Sequence, residues 1–342
     1  MKRTPRSLAR PFAALVAVVL GFLLVATPAQ AGKSAGGRST VTRIRLGNAA
    51  NVTPALIGPS YFLQGNGAPL LTGFQAHINQ VALSALDIVV LAASAPSSGS
   101  KTPECDNLRT LNNVNSCETV TITSATGAND AGATTAVTNA EIVYFAGGDQ
   151  CNYVGWRGTT VYNAVKGVVA RSGGVGGGSA GLAIQGDFVY DSCTGSVISS
   201  EALGDPYHRY ISFSYDFFKW TPLANVITDS HFFQRDRMGR LMTFVARQLQ
   251  DGKTTTAYGL GVNENTAVVI NNNGLGQVYG DAAYVVLGDH SPEASVSRQP
   301  LTFSDFKIWK ITNGGTYNFA ARPTSGFYTR SVNNGAISSS PY

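Results

Sequence analysis

Once its first 31 residues are set aside, the chain has almost no net charge. The whole sequence holds 25 Lys and Arg against 20 Asp and Glu, but Lys2, Arg3, Arg6 and Arg10 precede Ala31 and no acidic residue does, which leaves 21 against 20. Such a balance lacks the electrostatic footprint of a nucleic-acid or anionic-membrane partner. The four Cys and four His fall in no zinc-ligand spacing, so neither a metal nor another cofactor is expected. No Lys-Ser or Lys-Thr follows the glycines before Ser179, which rules out a phosphate-binding P-loop. No repeat of 20 to 50 residues is present, and no cysteine follows Ala31 closely enough to take a lipid.

What the N-terminus does contain is a basic start, an apolar run from Pro11 to Ala26 and the small-residue site Ala29-Gln30-Ala31. This reads as a secretory signal peptide, residues 1–31, cleaved near Ala31 to leave a secreted protein, extracellular or periplasmic, with no membrane contact afterwards. Gly21 interrupts the apolar run, which argues against a permanent anchor. The remainder suits one large domain, residues 32–329, followed by a polar, loose tail at 330–342. An even number of cysteines in an exported chain points to two disulfides. Cys105 with Cys117 closes a short loop and is the preferred pair, leaving Cys151 with Cys193; reduced, buried cysteines are the other reading.

Continuous apolar runs at Ala82–Ser94, Thr119–Thr123, Ile142–Phe145 and Val226–Thr228 read as strands buried on both faces. Helix-length stretches separate them, notably Asn152–Arg171, where Val161, Val165, Val168 and Val169 recur at helical spacing. The alternation predicts an α/β fold with a mainly parallel sheet covered by helices on both faces, and a site at the carboxyl ends of its strands. Residues 96–118, rich in Ser, Asn, Pro and Cys, read as a surface insertion stapled by its own disulfide. From Ala257 onward, Thr266–Ile270, Gln277–Tyr279, Ala283–Leu287 and Leu301–Thr312 suggest hairpins, giving a β-rich C-terminal part.

Residues 177–181 satisfy G-x-S-x-G, the pattern of a nucleophile elbow that thrusts Ser179 outward on a sharp turn. A helix beginning at Ala180 would point free N–H groups toward a developing oxyanion. A serine hydroxyl needs a base, and Asp229-Ser230-His231 supplies one at the end of an apolar strand. A helix capped by Asp229 or Ser230 is expected to run from there to about Gln248. Arg235, Arg237 and Arg240 beside that histidine suit carboxylates, or a solvated helix face paired with Asp236.

Four segments together resemble the cyanophycinase and peptidase E family of serine exopeptidases. They are Gly147-Gly148-Asp149-Gln150, Gly178-Ser179-Ala180-Gly181, the arginine-bearing run from His231 to Arg240, and Gly259-Leu260-Gly261-Val262-Asn263-Glu264-Asn265-Thr266. The resemblance implies a flavodoxin-like sheet related to class I glutamine amidotransferases, with Ser179 as nucleophile, His231 as base and Glu264 orienting it. The N–H groups of Gly148 and Ala180 are the expected oxyanion hole, and the resemblance places the substrate site at Gln150, Asp229, Arg235, Arg237 and Arg240, with Ser230 joining them by its place between Asp229 and His231. The implied activity is cleavage of cyanophycin, an arginine-decorated polyaspartate, to β-Asp-Arg dipeptides. Cyanophycinases usually carry Gln where this chain has Ser230, a departure that leaves the nucleophile intact and keeps short aspartyl or isoaspartyl peptides as the alternative substrate. A homodimer is one arrangement such an enzyme can take.

Other classes compete. An α/β-hydrolase esterase would use the same serine with His290 closing the order Ser, acid, His. The glycines at 176–181 also fit a dinucleotide fingerprint with Glu201, a pattern easily met by chance among 38 glycines. A hydrolase scaffold kept only for binding is the remaining class. The aromatic stretch Tyr207–Trp220 either packs the core or lids a groove.

Overall fold

All seven residues of the strand Leu86–Ala92 are buried. It lies between Val114–Ile122 and Ile142–Phe145, parallel to both, and Gly174–Gly178 and Ser60–Gln64 extend the parallel block. Alternate residues feed separate cores: Ile88, Val90 and Tyr144 pack with Phe74 and Ile78 of helix Leu71–Val81, whereas Val89, Leu91 and Phe145 pack with Val161 and Val165 of helix Thr160–Ala170. Both faces are therefore covered, as the unbroken apolar runs require. This computed structural model describes residues 40–96 and 99–342, all within one compact unit, and the expected signal peptide lies outside them. No helix among the described residues is long and apolar enough to cross a membrane.

The fold is mixed α/β. Antiparallel strands Val41–Gly47, Ala267–Ile270, Leu275–Tyr279 and Thr316–Asn318 complete a nine-stranded sheet around the parallel block. In a second sheet of eight strands, Val226–Asp229 runs parallel to Phe188–Tyr190 and Ala257–Val262 and every other pairing is antiparallel. Helix Met238–Gln250 packs on it through Leu241, Phe244 and Val245. Six pairings are parallel and nine antiparallel, which corrects the expectation of a mainly parallel sheet. From Ala257 on, the chain connects strands by turns and loops without crossover helices, and such links yield antiparallel neighbours.

Four local expectations are also revised. The stretch 152–171 is two helices, Gln150–Val154 and Thr160–Ala170, because Gly158 turns at φ +78° and Thr159 caps the second by accepting from the Tyr162 N–H. The helix after His231 begins only at Met238; His231 and Asp236 sit at φ +48° and +45°, which a right-handed helix cannot accommodate, so Asp229 and Ser230 are not its caps. The insertion ends where the core strand starts at Val114, and its short helix Pro103–Leu108 docks on the molecule through buried Cys105 and Leu108. The segment after Thr329 is not loose. Tyr328–Asn333 and Ala336–Ile337 pair as strands, and the Tyr342 ring packs on Phe232, Phe233 and Tyr284.

Candidate active site

Four strands end at one place. Gly147–Gln150 follows Ile142–Phe145, Ser179 follows Gly174–Gly178, His231 follows Val226–Asp229 and Glu264 follows Ala257–Val262. The strand before Ser179 reads Gly-Val-Gly-Gly-Gly and is entirely buried, paired on both sides. A Cβ on Gly178 would come within 2.1 Å of the Asn66 carbonyl oxygen, and one on Gly181 within 2.0 Å of that of Phe145. The backbone there is too crowded for any side chain, and Ser179 leaves it at φ +54°, ψ −112°, a strained pair for a residue with a Cβ, to start a one-turn helix Ala180–Ala183.

Ser179 Oγ lies 2.8 Å from His231 Nε2, and His231 Nδ1 lies 2.5 Å from Glu264 Oε1. A proton on Nδ1, donated to the carboxylate, leaves Nε2 free to accept from the serine. Burial holds the His231 pKa below its ordinary value against the upward pull of the Glu264 hydrogen bond, and Arg235 and Arg237 add to the depression. The imidazole is thus neutral at pH 7, the state a base requires.

One loop ties the three residues together. The Ser179 N–H donates to the Gln64 carbonyl at 3.2 Å, the His231 N–H to that of Gly65 at 2.8 Å, and the Asn265 N–H, next to Glu264, to Asn66 Oδ1 at 3.2 Å. Gln64 is fully buried; its amide donates to Asn66 and Ala68 while its Oε1 accepts from the Leu70 N–H at 2.6 Å, fixing the shape of the loop.

In front of Ser179 opens a cavity of about 290 Å³ whose walls include Gly148, Gln150, Ala180, Ser230, Arg235 and Arg237. Asp229 and Arg240 also reach it, but they are each only 4% exposed and pair with each other, Arg240 Nε and Nη2 meeting the two Asp229 oxygens at 2.7 and 2.5 Å, while Arg237 Nη1 stands 3.4 Å from Asp229 Oδ1. Arg237 donates to the Ser230 carbonyl and hydroxyl, and burial pushes its pKa down to about 10. Arg235 is exposed and has no side-chain partner among the described residues. The Gly148 N–H, likewise without a partner there, stands at φ +141°, and the N–H of Ala180 is at the unpaired start of its helix. Both expected disulfides are formed, and Cys151–Cys193 joins the segments of two cavity-lining residues, Gln150 and Ser192.

No family model matches the chain. A stretch of 105 residues is 29% identical to the cyanophycinases of Trichormus variabilis and of a Nostoc species, taking up 29% of this chain and 33% of each relative. The match spans about a third of the curated relatives' own length. A solved peptidase from an acI-B1 actinobacterium has the same fold at 16% identity, with a TM-score of 0.51 over 78% of this chain and 98% of that one. Over that stretch the chain is similar to cyanophycinases, and in fold it is similar to a solved peptidase.

The Arg237 guanidinium bonds both the carbonyl and the hydroxyl of Ser230. His290 does not reach the cavity; its ring nitrogens face Asp289 and Ser304, so the order an esterase would need is not assembled. The glycines of the dinucleotide fingerprint are the buried strand and the turn after it, closed by protein on both sides. The aromatics of 207–220 do not line the cavity, and Phe217, Phe218 and Trp220 are core. Sequence reasoning missed Gln64, Asn66, Tyr190 and Thr228. Gln64-Gly65-Asn66-Gly67 directly after Tyr61-Phe62-Leu63 carries the signature of a strand ending in a sharp turn, the signal by which that loop is recognisable.

Proposed function

We propose that this peptidase relative is a secreted serine exopeptidase that cleaves aspartate-backbone peptides through an acyl-enzyme, with cyanophycin as its preferred polymer. The observation that carries the reading is the continuous chain Ser179 Oγ, His231 imidazole, Glu264 carboxylate. Ser179 attacks the carbonyl carbon as His231 Nε2 takes its proton, and Glu264 stabilises the imidazolium. The oxyanion is received by the N–H groups of Gly148 and Ala180. His231 then returns the proton to the departing amine, and water, activated in the same way, releases the acid. Arg235 and Arg237 hold substrate carboxylates. Asp229 and Arg240 act through each other, keeping the arginine-bearing loop beside His231 in shape.

The Ser230 hydroxyl under Arg237, where cyanophycinases usually carry Gln, favours a second reading with the same chemistry on short aspartyl or isoaspartyl peptides. Incubating insoluble cyanophycin with the purified protein and with Ser179→Ala, and weighing soluble products by mass spectrometry, separates the two. β-Asp-Arg released only by the intact serine supports the polymer reading. No release, with isoaspartyl dipeptides cleaved, moves the assignment to the second. Equal hydrolysis by Ser179→Ala refutes the nucleophile.

A further inference from the structure

On the far side of the Gly147-Gly148 turn lies a second cavity, of about 240 Å³, lined among others by Ser94, Glu104, Thr119, Ala146 and Gly147. It adjoins the catalytic cavity: a Cβ on Gly147 would stand 3.6 Å from Ser179 Cβ, and one on Gly148, which lines the first cavity, 3.8 Å from Ser94 Oγ, which lines the second. The polar side chains it presents, Ser94, Glu104 and Thr119, carry only oxygens. Thr119 is 2% exposed, yet its hydroxyl has no hydrogen-bond partner among the described residues. Glu104 has no cationic partner among the described residues, although Asp106 stands close enough to repel it.

These groups are held in register by covalent means. Cys105 follows Glu104, Cys117 precedes Thr119 by two residues on the same face of its strand, and the Cys105–Cys117 disulfide brings their Cα atoms to 5.4 Å. The disulfide thus fastens the short helix that carries Glu104 to the strand that carries the orphaned hydroxyl. A carboxylate with no cation beside it, an unpaired buried hydroxyl and a serine hydroxyl suit a cation with several donors in a fork. A guanidinium offers five N–H groups in one plane and no acceptor.

We propose that this cavity is a subsite for a guanidinium-bearing side chain of the substrate, with Glu104 as counter-ion and Thr119 and Ser94 accepting further N–H bonds. Its role as a substrate subsite rests on the peptidase reading above, whereas its affinity for a guanidinium does not. Burial raises the Glu104 carboxyl above its ordinary value, a penalty that a bound cation relieves.

The test is amide chemical-shift mapping of the isotope-labelled protein with agmatine, and with its neutral urea counterpart N-carbamoylputrescine. Agmatine is expected to shift the amides of Ser94, Glu104, Thr119 and Gly147, and the urea to bind about tenfold or more weakly, the loss of one charge-assisted contact. Glu104→Gln should weaken agmatine by a similar factor, Thr119→Val by less, and Ser179→Ala not at all. Agmatine shifts absent from these residues, or unchanged in Glu104→Gln, overturn the subsite. The two readings fail separately: agmatine binding here with no peptide cleaved removes the peptidase and keeps the site, while peptides cleaved with these amides silent does the reverse.

Discussion

Asp229 offers the sharpest separation between a residue that touches substrate and one that holds the site. Replacing it by Ala leaves Arg240, 4% exposed, with its guanidinium facing a void and only the Val197 carbonyl at 3.1 Å and the Ser196 hydroxyl to receive it. Breaking a buried pair from one side costs about 3–5 kcal/mol, because the remaining charge keeps its desolvation penalty. At about 2.1 cal/mol/K of unfolding entropy per residue over roughly 300 residues, each kcal/mol lowers the melting temperature by about 1.6 °C, so Asp229→Ala should melt roughly 5–8 °C below the parent. Adding Arg240→Met removes the stranded charge and should restore most of that loss. Calorimetry on the parent, both single variants and the double variant gives the coupling energy directly. An Asp229→Ala protein that melts within about 2 °C of the parent while kcat/KM collapses would refute the internal pairing and return the carboxylate to the substrate.

Other perturbations follow from the same geometry. Since His231 must be neutral to accept the serine proton and its pKa is depressed, kcat/KM should rise with pH along an acid limb below 6.5. Arg235→Gln removes a cation and should move that limb upward, whereas Glu264→Gln removes the group that raises the pKa and should move it downward while lowering kcat; limbs that move together refute the assignment. Asn66→Ala frees the Asn265 N–H beside Glu264 and should reduce labelling of Ser179 by a fluorophosphonate by about tenfold with melting unchanged, the cost of about 1.4 kcal/mol in alignment; labelling at the parental rate would show that the loop does not position the acid. Changing Cys151 and Cys193 to Ser opens a loop of 42 residues and should cost about 4 kcal/mol by loop entropy, read from denaturant midpoints, with a rise in KM because Gln150 and Ser192 are no longer tied; an unchanged midpoint would refute the staple.

Much of this architecture is legible in the residues because it is local. Leu86–Ala92 and Ile142–Phe145 are buried on both faces, and a run with no polar alternation says so. Ser179 and His231 stand where apolar or glycine strands stop, and strand ends are where α/β sheets expose chemistry. What escaped reading is what depends on partners distant in sequence. The strand Gly174–Gly178 has no hydrophobic pattern, since its neighbours Ser60–Gln64 and Ile142–Phe145 and the turn of Gly181 leave no room for side chains. Gln64 reads as an ordinary polar residue until Ser179, His231 and Glu264 are seen to meet around its loop. Asp229 and Arg240, eleven residues apart, read as two independent contacts for substrate, and only the left-handed turns at His231 and Asp236 fold the segment so that they find each other. Tyr342 reads as tail, yet its hydroxyl accepts from the Met238 N–H and bonds Asp236 at 3.0 Å each, clamping the end of that same segment. The arginine-bearing loop is thus shaped from three sides by residues that sequence spacing cannot bring together. Of its cations lining the cavity, Arg235 is exposed, whereas Arg237 is half-buried and held by Ser230 and Asp229.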